Sequence, residues 1–121
     1  MRPIALIIII FVISTAELSA QNFNSLIAYP VPYRVSRGPL TIGFGSPEAP
    51  VANLTVDCTI YDINGDEDFS RSSGSVPVIW SGRNNSGRVV KPGLYIIKLK
   101  IEDHNDNNKT YKKLIRIVVD Y

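Results

Sequence analysis

The sequence predicts an all-β fold in which two antiparallel sheets pack face to face as a sandwich. Beyond residue 28 the chain is a succession of short segments in which apolar and polar residues alternate, separated by clusters of Gly, Pro, Asn and Asp. No stretch shows helical spacing of apolar residues over three turns. Each segment carries one apolar stripe, and a single sheet would leave those stripes in water, so two sheets are expected.

The N-terminus has the layout of a secretory signal peptide. Arg2 is followed by an apolar run over 4–13 and then by small residues that include Ala16 and Ala20. The run is too short to span a bilayer comfortably. We expect cleavage after Ala20, with cleavage after Ala16 and a retained signal anchor as the alternatives.

Length and charge fit a single exported domain. The chain has 121 residues, and a signal peptide over 1–20 would leave a short N-terminal lead, 21–28, and one domain, 29–121. The net charge is only +2, and the basic residues are scattered instead of clustered. Such a distribution favours neither a nucleic acid nor an anionic membrane as partner. We therefore expect a periplasmic, cell-surface or extracellular protein with no stable membrane insertion once the signal is removed.

Five segments of the domain are predicted as strands by their alternation. They are PLTIGF (39–44), LTVDCTIY (54–61), SVPVIW (75–80), LYIIKLKIE (94–102) and KKLIRIVVDY (112–121). Pro77 lies on the opposite phase from its apolar neighbours, which indicates an edge strand or a bulge. The residues expected to face inward are Leu40, Ile42, Phe44, Leu54, Val56, Cys58, Ile60, Val76, Val78, Trp80, Tyr95, Ile97, Leu99, Ile101, Ile115, Ile117 and Val119.

The stretch YDINGDEDF (61–69) is a weak candidate metal site. It places oxygen-bearing side chains at alternate positions: Asp62, Asn64, Asp66 and Asp68. A twelve-residue calcium loop also needs Gly at its sixth position and a bidentate carboxylate at its twelfth, where this chain has Glu67 and Ser73. Asn64-Gly65 instead indicates a hairpin, because a type I′ turn requires positive φ at both central residues. A solvated β-turn is the preferred interpretation, and no metal or other cofactor is expected.

The most specific stretch of the chain is WSGRNNSGRVVKPGLYIIKL (80–99). It resembles the C-terminal Ig-like domain of the flagellar hook-capping protein family and related modules appended to exported bacterial proteins. The matching residues are Trp80, Gly82, Arg83, Asn84, Gly87, Val90, Gly93, Leu94 and Tyr95. Ser81 departs from the Asp or Asn of the pattern. With YPVPY (29–33) as the entry to the domain, the resemblance covers 29–119 and implies an Ig-like β-sandwich of about seven strands.

These motif residues also have a structural interpretation that is independent of the family. Trp80 is expected to fill the space between the sheets while its indole N–H donates to a backbone carbonyl. The glycines are expected at turns that need positive φ, and Tyr95 is expected to donate a hydrogen bond back across a corner. The alternative is a ligand-binding surface formed by Trp80, Arg83 and Tyr95.

Side chains for catalysis are sparse. His104 is the only histidine and Cys58 the only cysteine, and a zinc site takes three or four such ligands. Cys58 lies in an alternating strand and is expected to be a buried, inert thiol. Asp103 and Asp106 flank His104 and are expected to be solvated turn residues. No nucleophile elbow or phosphate-binding glycine loop is present, so an enzyme is not expected.

We therefore expect a non-catalytic interaction or scaffolding module that binds a protein partner in the envelope or outside the cell. Strand edges and loops would form the contact surface. Two alternatives remain open. One is a sorting-type module for a secretion system, although the module would then be the whole predicted mature chain. The other is a factor related to flagellar hook assembly.

Overall fold

The computed structural model describes residues 22–120, so the signal peptide predicted over 1–20 lies outside the described residues. Within that range are two single-turn 3-10 helices, Phe23–Ser25 and Val35–Arg37, and no helix is long and apolar enough to cross a bilayer. The strands are β1 Ile27–Tyr29, β2 Tyr33–Arg34, β3 Leu40–Gly43, β4 Leu54–Asp62, β5 Glu67–Ser73, β6 Val78–Trp80, β7 Gly93–Asp103 and β8 Lys109–Asp120.

The strands form two sheets, as the alternating pattern predicts. The smaller sheet has the order β1-β3-β6, and the larger has the order β2-β8-β7-β4-β5. All neighbouring strands are antiparallel except the short pair β2–β8. The long strands β4, β7 and β8 occupy the middle of the larger sheet, where β7 pairs with both of the others along nearly its whole length.

The core lies between the sheets and consists of the residues predicted to face inward. Fifteen of the seventeen are buried, and Phe44 and Ile115 are half-buried against them. The burial is strictly alternating along β4 and over most of β7, because successive side chains of a strand point to opposite faces. The prediction of an all-β sandwich is therefore confirmed.

Strand β5 was not predicted by alternation. Its residues are mostly exposed, and only Phe69 packs against the core. β5 is the outermost strand of the larger sheet and pairs with β4 alone. It is therefore held in the sheet by backbone hydrogen bonds to β4 and not by an apolar stripe. The prediction of an edge strand or a bulge at Pro77 agrees with the structure, because β6, the strand that follows Pro77, is an edge of the smaller sheet.

The N-terminal lead packs into the core, and the expectation that Asp103 is solvated is wrong. Phe23 and Leu26, in the segment expected to be a lead ahead of the domain, are buried in the core, and β1 pairs with β3. Asp103, expected to be solvated, is only 1% exposed and accepts a hydrogen bond from the Asn105 backbone N–H (3.0 Å). Phe23 packs against Phe44 and Tyr111, which are distant in the sequence, whereas Asp103 is buried because β7 continues to it as the next inward position after Ile101.

Candidate functional site

Trp80 is the centre of an aromatic cluster at one end of the sandwich. It is 1% exposed, and its indole Nε1 donates to the Arg83 carbonyl (2.9 Å), as expected. Its ring centroid lies 5.8 Å from that of Tyr33, 6.1 Å from Phe69 and 6.4 Å from Tyr95. These spacings are typical of favourable aromatic pairs, so the cluster joins both sheets through one side chain.

Tyr33 also belongs to this cluster, although no role for its side chain was predicted. It is fully buried, and its Oη donates to the Trp80 carbonyl (3.4 Å). Burial raises the pKa of the Tyr33 phenol. The available signal was its place at the end of YPVPY, where an aromatic side chain directly follows a proline.

Gly82 and Tyr95 hold the corner between β6 and β7. Gly82 has φ +76°, and its carbonyl accepts from the Val90 N–H (2.9 Å). A Cβ at this position would lie 2.8 Å from Val35 Cγ2 and 3.1 Å from Tyr33 Oη. Tyr95 Oη donates to the Lys91 carbonyl (2.6 Å), which is the hydrogen bond expected across the corner. Hydrogen bonds therefore hold the corner together, and its backbone at Gly82 lies close to the side chains of Val35 and Tyr33.

Two turns with the same hydrogen bonding flank the cluster, one beginning at Asp62 and the other at Asn84. In each, the side-chain Oδ1 accepts from the backbone N–H groups two and four residues later, at 2.9 and 3.0 Å from Asp62 and 3.0 and 3.0 Å from Asn84. The third residue on is a glycine with positive φ, Gly65 (+85°) or Gly87 (+84°). The two turns share one spacing in the sequence, an acid or amide followed three residues later by Gly.

The prediction of a type I′ turn at Asn64-Gly65 is wrong, although the hairpin exists. Only Gly65 has positive φ, and its N–H donates to the Asp62 carbonyl (3.0 Å). The loop is therefore a three-residue hairpin with a left-handed final residue. Asp62 explains the difference, because its carboxylate caps the turn and favours a right-handed Asn64.

A cleft of about 350 Å³ lies between the two turns. Asp62 and Asp68 line one side, and Arg88 and Lys91 line the other. Burial raises the pKa of Asp68, and the neighbouring carboxylates of Asp62 and Asp66 raise it further. The structure thus brings the acidic residues of the candidate metal site close together, but among residues 22–120 no three His, Cys, Asp or Glu side chains are arranged to hold a metal ion.

The alternative ligand surface of Trp80, Arg83 and Tyr95 is not formed as a shared surface. Trp80 and Tyr95 are buried, whereas Arg83 is exposed and its Nη1 donates to the Gly87 carbonyl (2.9 Å). Arg83 therefore closes the second turn instead of facing the two aromatic rings. Gly93, the last glycine of the motif, has φ +152° at the start of β7.

His104 ties the β7–β8 loop to β4. Its Nε2 lies 2.8 Å from Thr55 Oγ1, and its Nδ1 lies 2.6 Å from Asn108 Oδ1. The amide oxygen of Asn108 is an acceptor, so Nδ1 carries the proton and Nε2 accepts from Thr55. Asn105 adds a hydrogen bond from its Nδ2 to the Ala52 carbonyl (2.9 Å). The loop is therefore fixed by side-chain hydrogen bonds.

No protein-family model matches the sequence, and no curated protein is significantly similar to it. Among solved structures, one similar chain is PorZ, described as an essential bacterial surface component of the type-IX secretion system of Porphyromonas gingivalis. The match has a TM-score of 0.56 and 27% identity, and covers 86% of this chain and 12% of PorZ.

Dimeric latent PorU from the same organism matches with a TM-score of 0.52 and 20% identity, over 78% of this chain and 9% of PorU. At that identity the likeness to PorU shows the fold alone. This chain spans a small part of either protein. It is therefore similar, over one β-sandwich module, to proteins that include a surface component of a type-IX secretion system.

Proposed function

We propose that this chain is a sorting-type β-sandwich module that a type-IX secretion system recognises and delivers to the cell surface. The observation that carries the proposal is the likeness to PorZ over most of this chain, in sequence as well as in fold. The predicted signal peptide supports it, because export across the inner membrane would be the first step of such a route. The module itself would perform no chemistry.

The physical basis of recognition would be a rigid surface. The aromatic cluster around Trp80 and the capped turns at Asp62 and Asn84 hold the fold together, so these motif residues have structural roles. Surface side chains of the sheets and loops would then contact the machinery, and a pre-ordered surface lowers the entropy lost on binding.

The runner-up is a resident scaffold of the cell surface instead of a delivered module. PorZ is itself described as a surface component, which favours this candidate over an enzyme or a flagellar factor. The flagellar candidate depends only on the resemblance of residues 80–99 to the hook-capping family. Unchanged motility of a deletion strain would remove it.

The deciding experiment expresses the full chain in Porphyromonas gingivalis and in a strain that lacks PorZ. Protease accessibility on whole cells, with an antibody against the domain, measures surface delivery. We expect protease-sensitive protein on wild-type cells and protected protein in the periplasm of the PorZ-deficient strain. Equal protection in both strains would contradict the proposal.

A reporter fused in front of residue 21, behind the signal peptide, distinguishes the two candidates. A sorting module should carry the fused reporter to the surface, where it is protease-sensitive, whereas a resident scaffold should not deliver the fusion, which would stay protected inside the cell.

A further inference from the structure

The outward side of the β7–β8 hairpin combines apolar and basic side chains. Cross-strand pairing places these outward residues directly opposite each other: Leu94 with Val118, Ile96 with Arg116, Lys98 with Leu114, and Lys100 with Lys112. We call these eight residues the outer face. Their neighbours in sequence point into the core, so this side of the hairpin is free of the second sheet.

One end of the outer face is apolar. Leu94 is 46% exposed and Val118 45%, and Leu114, which lies opposite Lys98 nearer the basic end, is 66% exposed. Ile63, from the adjoining β4–β5 turn, is 75% exposed and lines a recess of about 260 Å³ together with Leu94, Ile96 and Arg116. Single exposed apolar residues are ordinary, but a contiguous group bordered by charged residues is typical of a protein contact surface.

The other end is basic and carries Lys98, Lys100 and Lys112. Lys100 and Lys112 lie directly opposite each other, an arrangement in which like charges destabilise a sheet. Within residues 22–120, none of the cations of the outer face forms an ion pair. Asp57, opposite Lys100 on β4, instead accepts a hydrogen bond from Ser72 Oγ (2.8 Å).

A second recess extends this basic end. It measures about 420 Å³ and is lined by Lys98, Lys112, Lys113 and Leu114. The ammonium group of Lys113 is turned to the opposite side and donates to the Asn24 carbonyl (2.8 Å), so Lys98 and Lys112 supply the free charge. An acidic group placed here would relieve the repulsion between the lysines and lie next to the exposed side chain of Leu114.

We propose that the outer face is a docking surface for an extended protein segment that carries apolar side chains at one end and carboxylates at the other. From Leu94 to Lys100 the face spans seven residues, or six steps of about 3.3 Å, which is roughly 20 Å and matches about seven residues of an extended partner. A second copy of this chain is a poorer occupant, because a twofold contact would place the same cations against one another.

The test uses the chain expressed with its own signal peptide and purified after export. The probe is an eleven-residue peptide with Leu at alternate positions of one half, Glu at alternate positions of the other, and Thr between. Amide shifts in NMR spectra locate the contact, and fluorescence anisotropy of the labelled peptide gives the affinity. We expect shifts at Leu94, Ile96, Leu114 and Val118.

Variants separate a specific contact from general attraction. The double variant Lys98→Glu/Lys112→Glu should weaken binding by at least tenfold, and Leu114→Ser should weaken it while circular dichroism stays unchanged. The matched control Arg37→Glu/Lys91→Glu changes the net charge equally on exposed residues that do not belong to the outer face. It should leave the affinity within about twofold of the unmodified protein.

Several results would overturn the proposal. One is equal binding of a peptide of the same composition in which Leu and Glu are interleaved, or of a Glu-only peptide, since either would mean charge attraction alone. Tighter binding to vesicles of anionic phospholipid or to a DNA duplex would reassign the surface. Self-association that Leu114→Ser abolishes would make a second copy the occupant, and absence of shifts on the outer face would leave no docking surface.

Discussion

Gly82 gives the sharpest test of how the Trp80 corner is packed. Its φ of +76° lies in the left-handed region, and an added Cβ would lie 2.8 Å from Val35 Cγ2. Gly82→Ala should therefore destabilise the fold in two ways, through backbone strain and through a steric clash. The strain is about 1–2 kcal/mol for a residue with a side chain in this region.

The clash adds to the strain because Val35 has little freedom to move. Its branched side chain is stiff at χ1 and half-buried against the core, so relief requires a shift of packed atoms. Forcing extra atoms into a packed site costs about 1–3 kcal/mol. We expect Gly82→Ala to lower the free energy of unfolding by about 2–5 kcal/mol in all.

Gly87 is the matched control. It has φ +84°, but no atom lies within 4 Å of an added Cβ, so Gly87→Ala should show the backbone strain alone. Urea unfolding followed by the fluorescence of Trp80, the single tryptophan, measures both variants. A difference of about 2 kcal/mol between the two corresponds to roughly 1 M in the urea midpoint.

Equal stability of the two glycine variants would refute the packing argument. A second check uses Val35→Ala, which removes the clashing methyl groups. The excess effect of Gly82→Ala over Gly87→Ala should shrink in that background, because contacting residues couple in a double-mutant cycle.

Three further predictions concern individual polar groups. Tyr95→Phe removes the 2.6 Å hydrogen bond to the Lys91 carbonyl but keeps the ring, and should lower the free energy of unfolding in urea by about 1 kcal/mol. Asp62→Ala should lower the pKa of Asp68, measured by NMR titration of its carboxyl group, because the Asp62 carboxylate helps to raise it. The raised pKa means that ionised Asp68 weakens the fold above that pKa, and the weakening disappears as the pH falls through it. Burial raises the pKa of the Cys58 thiol to about 11, so its alkylation at pH 8 should be slow in the folded protein and fast in urea. The free energy of unfolding should fall as the pH rises from the thiol's ordinary pKa of 9.0 towards 11, because the unfolded chain loses this proton first. Rapid alkylation of the folded protein would contradict the buried position of Cys58.

Within the candidate site, sequence reasoning located the residues better than it assigned their geometry. Trp80, Gly82 and Tyr95 have the local roles expected of them, because the need for positive φ or for a buried aromatic ring is visible in residue type. The turn at Asn64 differs from expectation because a side chain two residues earlier caps it. Tyr33 reaches Trp80 from 47 residues away, which no local pattern reveals.

The sequence alone determined the period-two strands and their inward residues, and it limited the segment around Pro77 to an edge strand or a bulge. These features are local, since successive side chains of a strand alternate between two faces whatever its neighbours are. Only the tertiary structure decided which strand lies beside which, that the polar β5 is an ordered edge, and that Phe23 is buried. Those outcomes depend on which distant segments cover a residue, and so does the juxtaposition of Lys100 and Lys112, whose charges are unremarkable until strand pairing brings them together.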